Sequence, residues 1–202
     1  MKSAICKLVG VSRYSQGKHY SKQEVPEENG ESYDNYERRT WRNRIHVTRD
    51  GYMYIPGNQI AEAVKIGAQY LSLKVKGKGN STWTKNFRSG IMIMDGIKLP
   101  ILAKDVPGEE LFVPSNGQKG GGTRVPKIFP YVDEWVGIIT AHIFDDSIIE
   151  EVFTEVLRCA GQLIGLGRYR PGVGGHYGRF GVESIEWRNE QQTMAAIGGV
   201  AS

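Results

Sequence analysis

Between Ser147 and Trp187 the chain has room for one arrangement: an amphipathic helix, a glycine-laden loop and a strand. Ile149, Val152, Phe153, Val156, Leu157 and Ala160 recur at three- and four-residue spacing and so line one helical face. Ser147-Ile148-Ile149-Glu150 has the pattern of a capping box, and Asp145 and Asp146 sit where the positive end of the helix favours acids. Val182 to Trp187 reads as a strand on which that apolar face can be covered. Ser3 to Val11 (Ile5, Leu8, Val9, Val11) reads as another. Asn58 can cap a second helix through Ile60, Ala63, Val64, Ala68 and Leu71, weakened by Gly67. Arg124 to Phe129 and Trp135 to Phe144 supply two more strands. The order is βαββαβ, an α+β, ferredoxin-like or RRM-type core with two helices on one face of the sheet.

The rest of the chain is insertion. Residues 12–50 and 74–110 are long excursions from a single domain spanning 1–188, and 189–202 reads as a flexible tail. Within the second excursion, 74–102 reads as a projecting β-hairpin. Cys6 and Cys159 stand far apart, which excludes a disulfide framework or a cysteine zinc site and predicts reduced, buried thiols. The four histidines lack metal-ligand spacing, so neither metal nor cofactor is expected. The longest apolar run, 135–144, is too short to cross a membrane, and Lys7 interrupts any leader-like start, so a cytoplasmic protein is expected.

Charge is unevenly spread. Residues 37–49 carry five arginines against one glutamate, 74–88 carry +5 without an acid, and 118–127 and 165–181 carry +3 each. Together these windows hold +15 in a chain of net +4, so the remainder is −11. Acid-free basic stretches rich in glycine and aromatics point to a polyanion.

The segment from Gly165 to Gly181 holds seven glycines and three arginines. A dinucleotide fingerprint needs a strand before its glycines and a helix after them. Here the order is reversed, G-x-G-x-x-G is absent and so is a Walker lysine. What remains is a loop whose backbone can approach phosphate, with Arg168, Arg170 and Arg179 as phosphate ligands and Tyr169, His176, Tyr177 and Phe180 as stacking faces.

Ile164-Gly165-Leu166-Gly167-Arg168 after a capped helix, then Tyr177-Gly178-Arg179-Phe180 before a terminal strand, resembles the glycine-rich loop of the RAMP superfamily. Those are the ferredoxin-like proteins of CRISPR systems, among them guide-RNA-holding backbone subunits and repeat-cleaving endoribonucleases. The match covers about 40 residues, 147–187. It implies RNA binding within a larger ribonucleoprotein, and the family's β-hairpin thumb would fall at 74–102. A stand-alone or phage-borne relative would carry the same residues.

The expected interface comprises Arg38, Arg39 and Arg42 beside Trp41 and Arg44; Lys74, Lys76, Lys78, Lys85 and Arg88, with Trp83 and Phe87 as stacking rings; and Arg168, Arg170, His176, Tyr177 and Arg179. These residue types grip single-stranded RNA or DNA with little regard to sequence, and copies can line up along the strand as a filament. Two other readings remain open. One is metal-independent RNA cleavage, with His19 and Tyr14 as acid–base candidates beside Tyr20 and Lys18; the other is a viral structural protein whose basic loops bind proteins.

Overall fold

Ala4, Cys6 and Leu8 are fully buried along the first strand, β1 (Lys2–Gly10), while Ile5, Lys7 and Val9 face the other way. That period of two places β1 in the middle of a sheet with one face covered. The computed structural model describes residues 1–115 and 123–189. Its elements, in order, are β1, β2 (Tyr14–Ser15), α1 (Tyr33–Thr40), β3 (Tyr52–Ile55), α2 (Gly57–Leu71), α3 (Thr84–Ser89), β4 (Ile91–Met92), β5 (Ile97–Leu102), β6 (Gly108–Pro114), β7 (Arg124–Val132), β8 (Val136–Ile143), α4 (Glu150–Cys159) and β9 (Phe180–Arg188).

The central sheet is antiparallel with strand order β4-β8-β1-β9. Taken with α2 and α4, its chain order is β1-α2-β4-β8-α4-β9, the βαββαβ order of a ferredoxin-like fold. Cys6 lies opposite Ile139 on one side and Ile185 on the other, so one face of the sheet is apolar across three strands. Phe153 of α4 stacks on Phe87 and meets Trp187 of β9 edge-on, joining helix, α3 and sheet in one core. Cys6 and Cys159 are free and buried there. Among the described residues no helix is long and apolar enough to cross a membrane.

Four expectations change. The second core strand is the two-residue β4, not Arg124–Phe129. The latter segment belongs to β7, which pairs with β6 from Arg124 to Pro130 and with β2 at Tyr131 and Val132. Pro126 and Pro130 remove ladder donors from β7, which lies between β2 and β6 in a separate three-stranded sheet. The long ribbon is consequently β6–β7, and 74–102 is no hairpin. A Lys74–Thr82 bridge, with the Val75 N–H donating to Ser81 O and the Trp83 N–H to Leu73 O, closes its first part as one short loop, then α3, β4 and β5 follow. Trp83 and Phe87, expected as stacking rings, are 7% and 0% exposed.

The capping box does not form either. Asp145 takes both the backbone N–H and the hydroxyl of Ser147, and the helix begins at Glu150 with Ile149 at its cap. Fully buried Ile148 pins that entry. Lys119 of the 118–127 basic window lies outside the described residues; so does the expected tail beyond 189.

Candidate nucleic-acid interface

The glycine-rich loop follows α4 through one π-helical turn, Ala160–Ile164. It is sewn to the segment after β1: Arg168 N–H donates to Ser15 O at 2.8 Å and Gly178 N–H to Arg13 O at 2.6 Å. Leu166 N–H donates to Gly178 O, and Leu166 itself is 1% exposed. A Cβ on Gly167, which has φ +70, would stand 2.3 Å from Ser15 O; one on Gly178 would stand 1.9 Å from Leu166 O. These two glycines therefore serve close backbone packing rather than a phosphate cradle. The backbone turns inward, and the side chains of Arg168, Tyr169 and Arg170 remain outside the crossing.

Arg168 extends along a groove between the loop, the start of α2 and β7. A cavity of about 550 Å³ is lined by Asn58, Gln59, Glu62, Phe129, Arg168 and Arg170, among others. Next to it, a cavity of about 410 Å³ is lined by Lys18, His19, Tyr20, Lys22, Tyr33, Tyr36, Arg44 and Lys127. Gly17 and Phe129 belong to both walls, so the two cavities adjoin along one groove wall. The guanidinium of Arg168 lies 3.7 Å over the ring of Phe129, and burial pulls its pKa below the ordinary value. Among the described residues, no carboxylate is within ion-pair distance of Arg168, Arg170, Lys18 or Lys127.

Acid in the groove is already engaged. Buried Glu37 takes two hydrogen bonds from Arg44, at 2.6 and 2.9 Å, and one from the Ile128 N–H at 2.7 Å. This bidentate pair fastens α1 to β7 and makes Arg44 a scaffold residue. Glu62 is exposed at the rim, 3.8 Å from Lys65. Lys22 pairs with Glu27 at 2.5 Å.

The expected residues divide accordingly. Arg168 and Arg170 line the groove, with one Arg170 N–H donated to Gly167 O at 3.1 Å. Arg179 spends its guanidinium on the carbonyls of Gln162 and His176. Tyr177 donates to Glu109, which also binds Arg13, while His176 is exposed and meets Tyr169 edge-on. Arg39 is held by Glu31 and Glu28, and Arg38 lies 3.6 Å from Glu110; Arg42 covers the ring of Trp41. Lys74, Lys76, Lys78, Lys85 and Arg88 are exposed, but their segment is anchored at the opposite end of the central sheet. Asn86 binds Asp145 just past the β8 end that pairs with Lys2, whereas Arg179 O accepts from Val11 just past Gly10. The nine residues of β1 separate the two regions by about 26 Å.

His19 is exposed in the groove, but Tyr14 is 0% exposed and burial pushes its phenol pKa up. The pair expected for acid–base work is not brought together at one surface. The open face of the sheet, which an RRM-type reading offers to a strand, carries Ile5 and Ile138, and its Lys7 and Arg188 are paired with Glu183 and Glu186. Sequence reasoning named Lys18 and Tyr20 only beside His19 for cleavage and gave Lys22 no role; the signal for binding was the cation–aromatic alternation in 18–22. Phe129 and Gln59 carried none.

No family model and no curated protein matches the chain. Among solved structures, a chain from the cryo-EM structure of the Type III-B Cmr-beta bound to cognate target RNA superposes with a TM-score of 0.50 at 17% identity. The match covers 92% of this chain and 60% of that one, so this chain spans 60% of the length of that relative. The crystal structure of Cmr6 from Pyrococcus furiosus matches at 15% identity and a TM-score of 0.46, over 90% of this chain and 98% of that one. The chain has the ferredoxin-like α+β fold of the Cmr-beta chain, the fold that the resemblance of residues 147–187 implies.

Proposed function

We propose that this is a RAMP-superfamily protein that binds single-stranded RNA in the groove running from Arg170 past Phe129 to Lys127 and Lys18, as one component of a larger ribonucleoprotein. The observation that carries this reading is Arg168: a largely desolvated guanidinium 3.7 Å from the centre of the Phe129 ring, lining a cavity, with no carboxylate in ion-pair contact among the described residues and only the more distant charge of Glu109 to offset its burial. A partly buried cation without a partner is costly unless an anion arrives, and phosphodiester oxygens suit its planar donors. Most of the affinity then comes from phosphate contacts and is largely independent of sequence. The solved chain with this fold comes from an assembly bound to target RNA, which supports the choice of RNA.

The test is a salt titration of binding to labelled single-stranded RNA, with single-stranded DNA and duplex as further arms and a denaturing gel of each strand. Wild-type affinity should fall steeply with salt while the strand stays intact. The double substitution Arg168→Ala, Arg170→Ala should weaken binding and reduce the log–log salt slope by about 1.4, about 0.7 per phosphate contact. Binding unchanged by the double substitution overturns the site.

A further inference from the structure

We infer that Tyr169 is a stacking platform for one nucleobase of the bound strand, a contact separate from the groove in which Arg168 and Arg170 take phosphate. The inference rests on the proposed RNA binding and adds a base contact to it.

The backbone singles out Tyr169. Within the glycine-rich loop five residues have left-handed φ, and four of them are glycines: Gly165, Gly167, Gly174 and Gly178. The fifth is Tyr169, at φ +54. A residue with a Cβ is strained there and a glycine is not. The conformation is held from both sides. Arg168 N–H is tied to Ser15 O, and Tyr177 N–H donates to Tyr169 O at 2.9 Å. A Cβ on Gly175 would stand 1.9 Å from that same oxygen, so the carbonyl is closely packed. A loop with glycine at every other left-handed position carries strain at 169 for the sake of a side chain.

That side chain does little for the fold. It is 44% exposed, and its hydroxyl makes no hydrogen bond among the described residues. Its ring contacts are His176 at 5.7 Å and Tyr177 at 5.4 Å, with planes at 89° and 82° to its own. The two neighbours fix its orientation, and neither is stacked on it.

The position of the ring supplies its use. Arg168 and Arg170 line the groove, and Tyr169 lies between them, one backbone step of about 3.8 Å from each. Tyr169 is not part of that wall; it is turned towards His176 and Tyr177. A strand whose phosphates meet the two guanidinium groups therefore passes an exposed aromatic ring within one residue of them. Alternating cation, ring and cation suits backbone charge beside a stacked base. Every base has a π-face, so the contact tolerates any sequence. No acid lies between 165 and 181 to oppose the strand.

The experiment compares short single-stranded RNA with a ribose-phosphate strand of equal length that lacks bases, each across a salt series. Tyr169→Leu keeps the backbone constraint and removes the aromatic face. It should weaken binding of the base-bearing strand roughly tenfold, on the scale of one base–aromatic stack, with the salt slope unchanged. Its binding of the abasic strand should match wild type, and Tyr169→Phe should match wild type on both. Tyr169→Gly adopts the same φ without strain and supplies the comparison if the leucine variant fails to fold. Unchanged affinity of the leucine variant for the base-bearing strand, as for a ring that docks a protein, overturns the inference. So does an equal loss on both strands, as for a ring that only shapes the loop. Either result leaves the RNA-binding proposal standing. Failure of wild type to bind the base-bearing strand overturns both.

Discussion

Arg168 and Cys6 show how burial gives ordinary side chains different properties. Arg168 lies over an aromatic face instead of in an ion pair, with the charge of Glu109 acting on it from a distance, and that leaves its donors available. Phe129→Ala removes the platform without changing net charge and should lower RNA affinity several-fold, measured by anisotropy, with little change in the salt slope. Cys6 is an acid pushed the other way: burial raises its thiol pKa from 9.0 to about 12. A raised folded pKa stabilises the fold below the unfolded value and loses that contribution as pH rises past it. Stability should therefore decline between about pH 9 and 12, and Cys6→Ala should flatten that decline in urea denaturation followed across the range. Tyr14 titrates in the same direction, so the difference between wild type and Cys6→Ala is the informative quantity.

At the scale of elements, α2 and α4 cross at Gly67. A Cβ there would stand 3.1 Å from Val156 O and 3.2 Å from Ala160 N. The glycine that weakens α2 in isolation lets the two helices meet. Gly67→Val should cost about 1–3 kcal/mol in chemical denaturation through overpacking, although valine is the better helix former. The α4 entry carries a second expectation. Because Asp145 captures Ser147, and Asn86 as well, Asp145→Ala should lower stability by about 1 kcal/mol, and Ser147→Ala by less, a ranking opposite to that of a capping box at Ser147. Thermal unfolding of the two variants decides the order. Asp145 is held below its usual pKa by these hydrogen bonds, so its contribution is present above about pH 3.8 and fades as pH falls through the lower folded value.

Across the whole molecule, three basic windows send residues to the groove (Arg44, Lys127, Arg168 and Arg170) and the fourth stands apart. The 74–88 lysines lie beyond the Lys2 end of β1, and Arg168 and Arg170 lie beyond the Gly10 end. A short oligonucleotide seated in the groove does not reach the lysines. Replacing Lys74, Lys76 and Lys78 by alanine should thus leave short-oligonucleotide affinity nearly unchanged and weaken only longer RNA. Equal losses on both lengths would place the lysines in the groove's own site. The groove itself is built from parts remote in sequence: 17–22, the start of α2, β7 and the glycine-rich loop.

The sequence by itself determined the two amphipathic helices, strands β1, β8 and β9, and their βαββαβ order, because a period of two or of three to four is local and survives any tertiary arrangement. It also located the loop that carries Arg168 and Arg170. Only the tertiary structure decided which strand completes the sheet, since β4 is two residues long and carries no periodicity, while β7 looked like a core strand until its prolines and its pairing with β6 placed it elsewhere. It likewise decided which cations are free. Arg39 and Arg44 read the same as Arg168 in sequence, but Glu31 and Glu37 neutralise the first two, and a ring from β7 supports the third. Ion pairing and desolvation depend on neighbours far apart along the chain, and local composition does not record them.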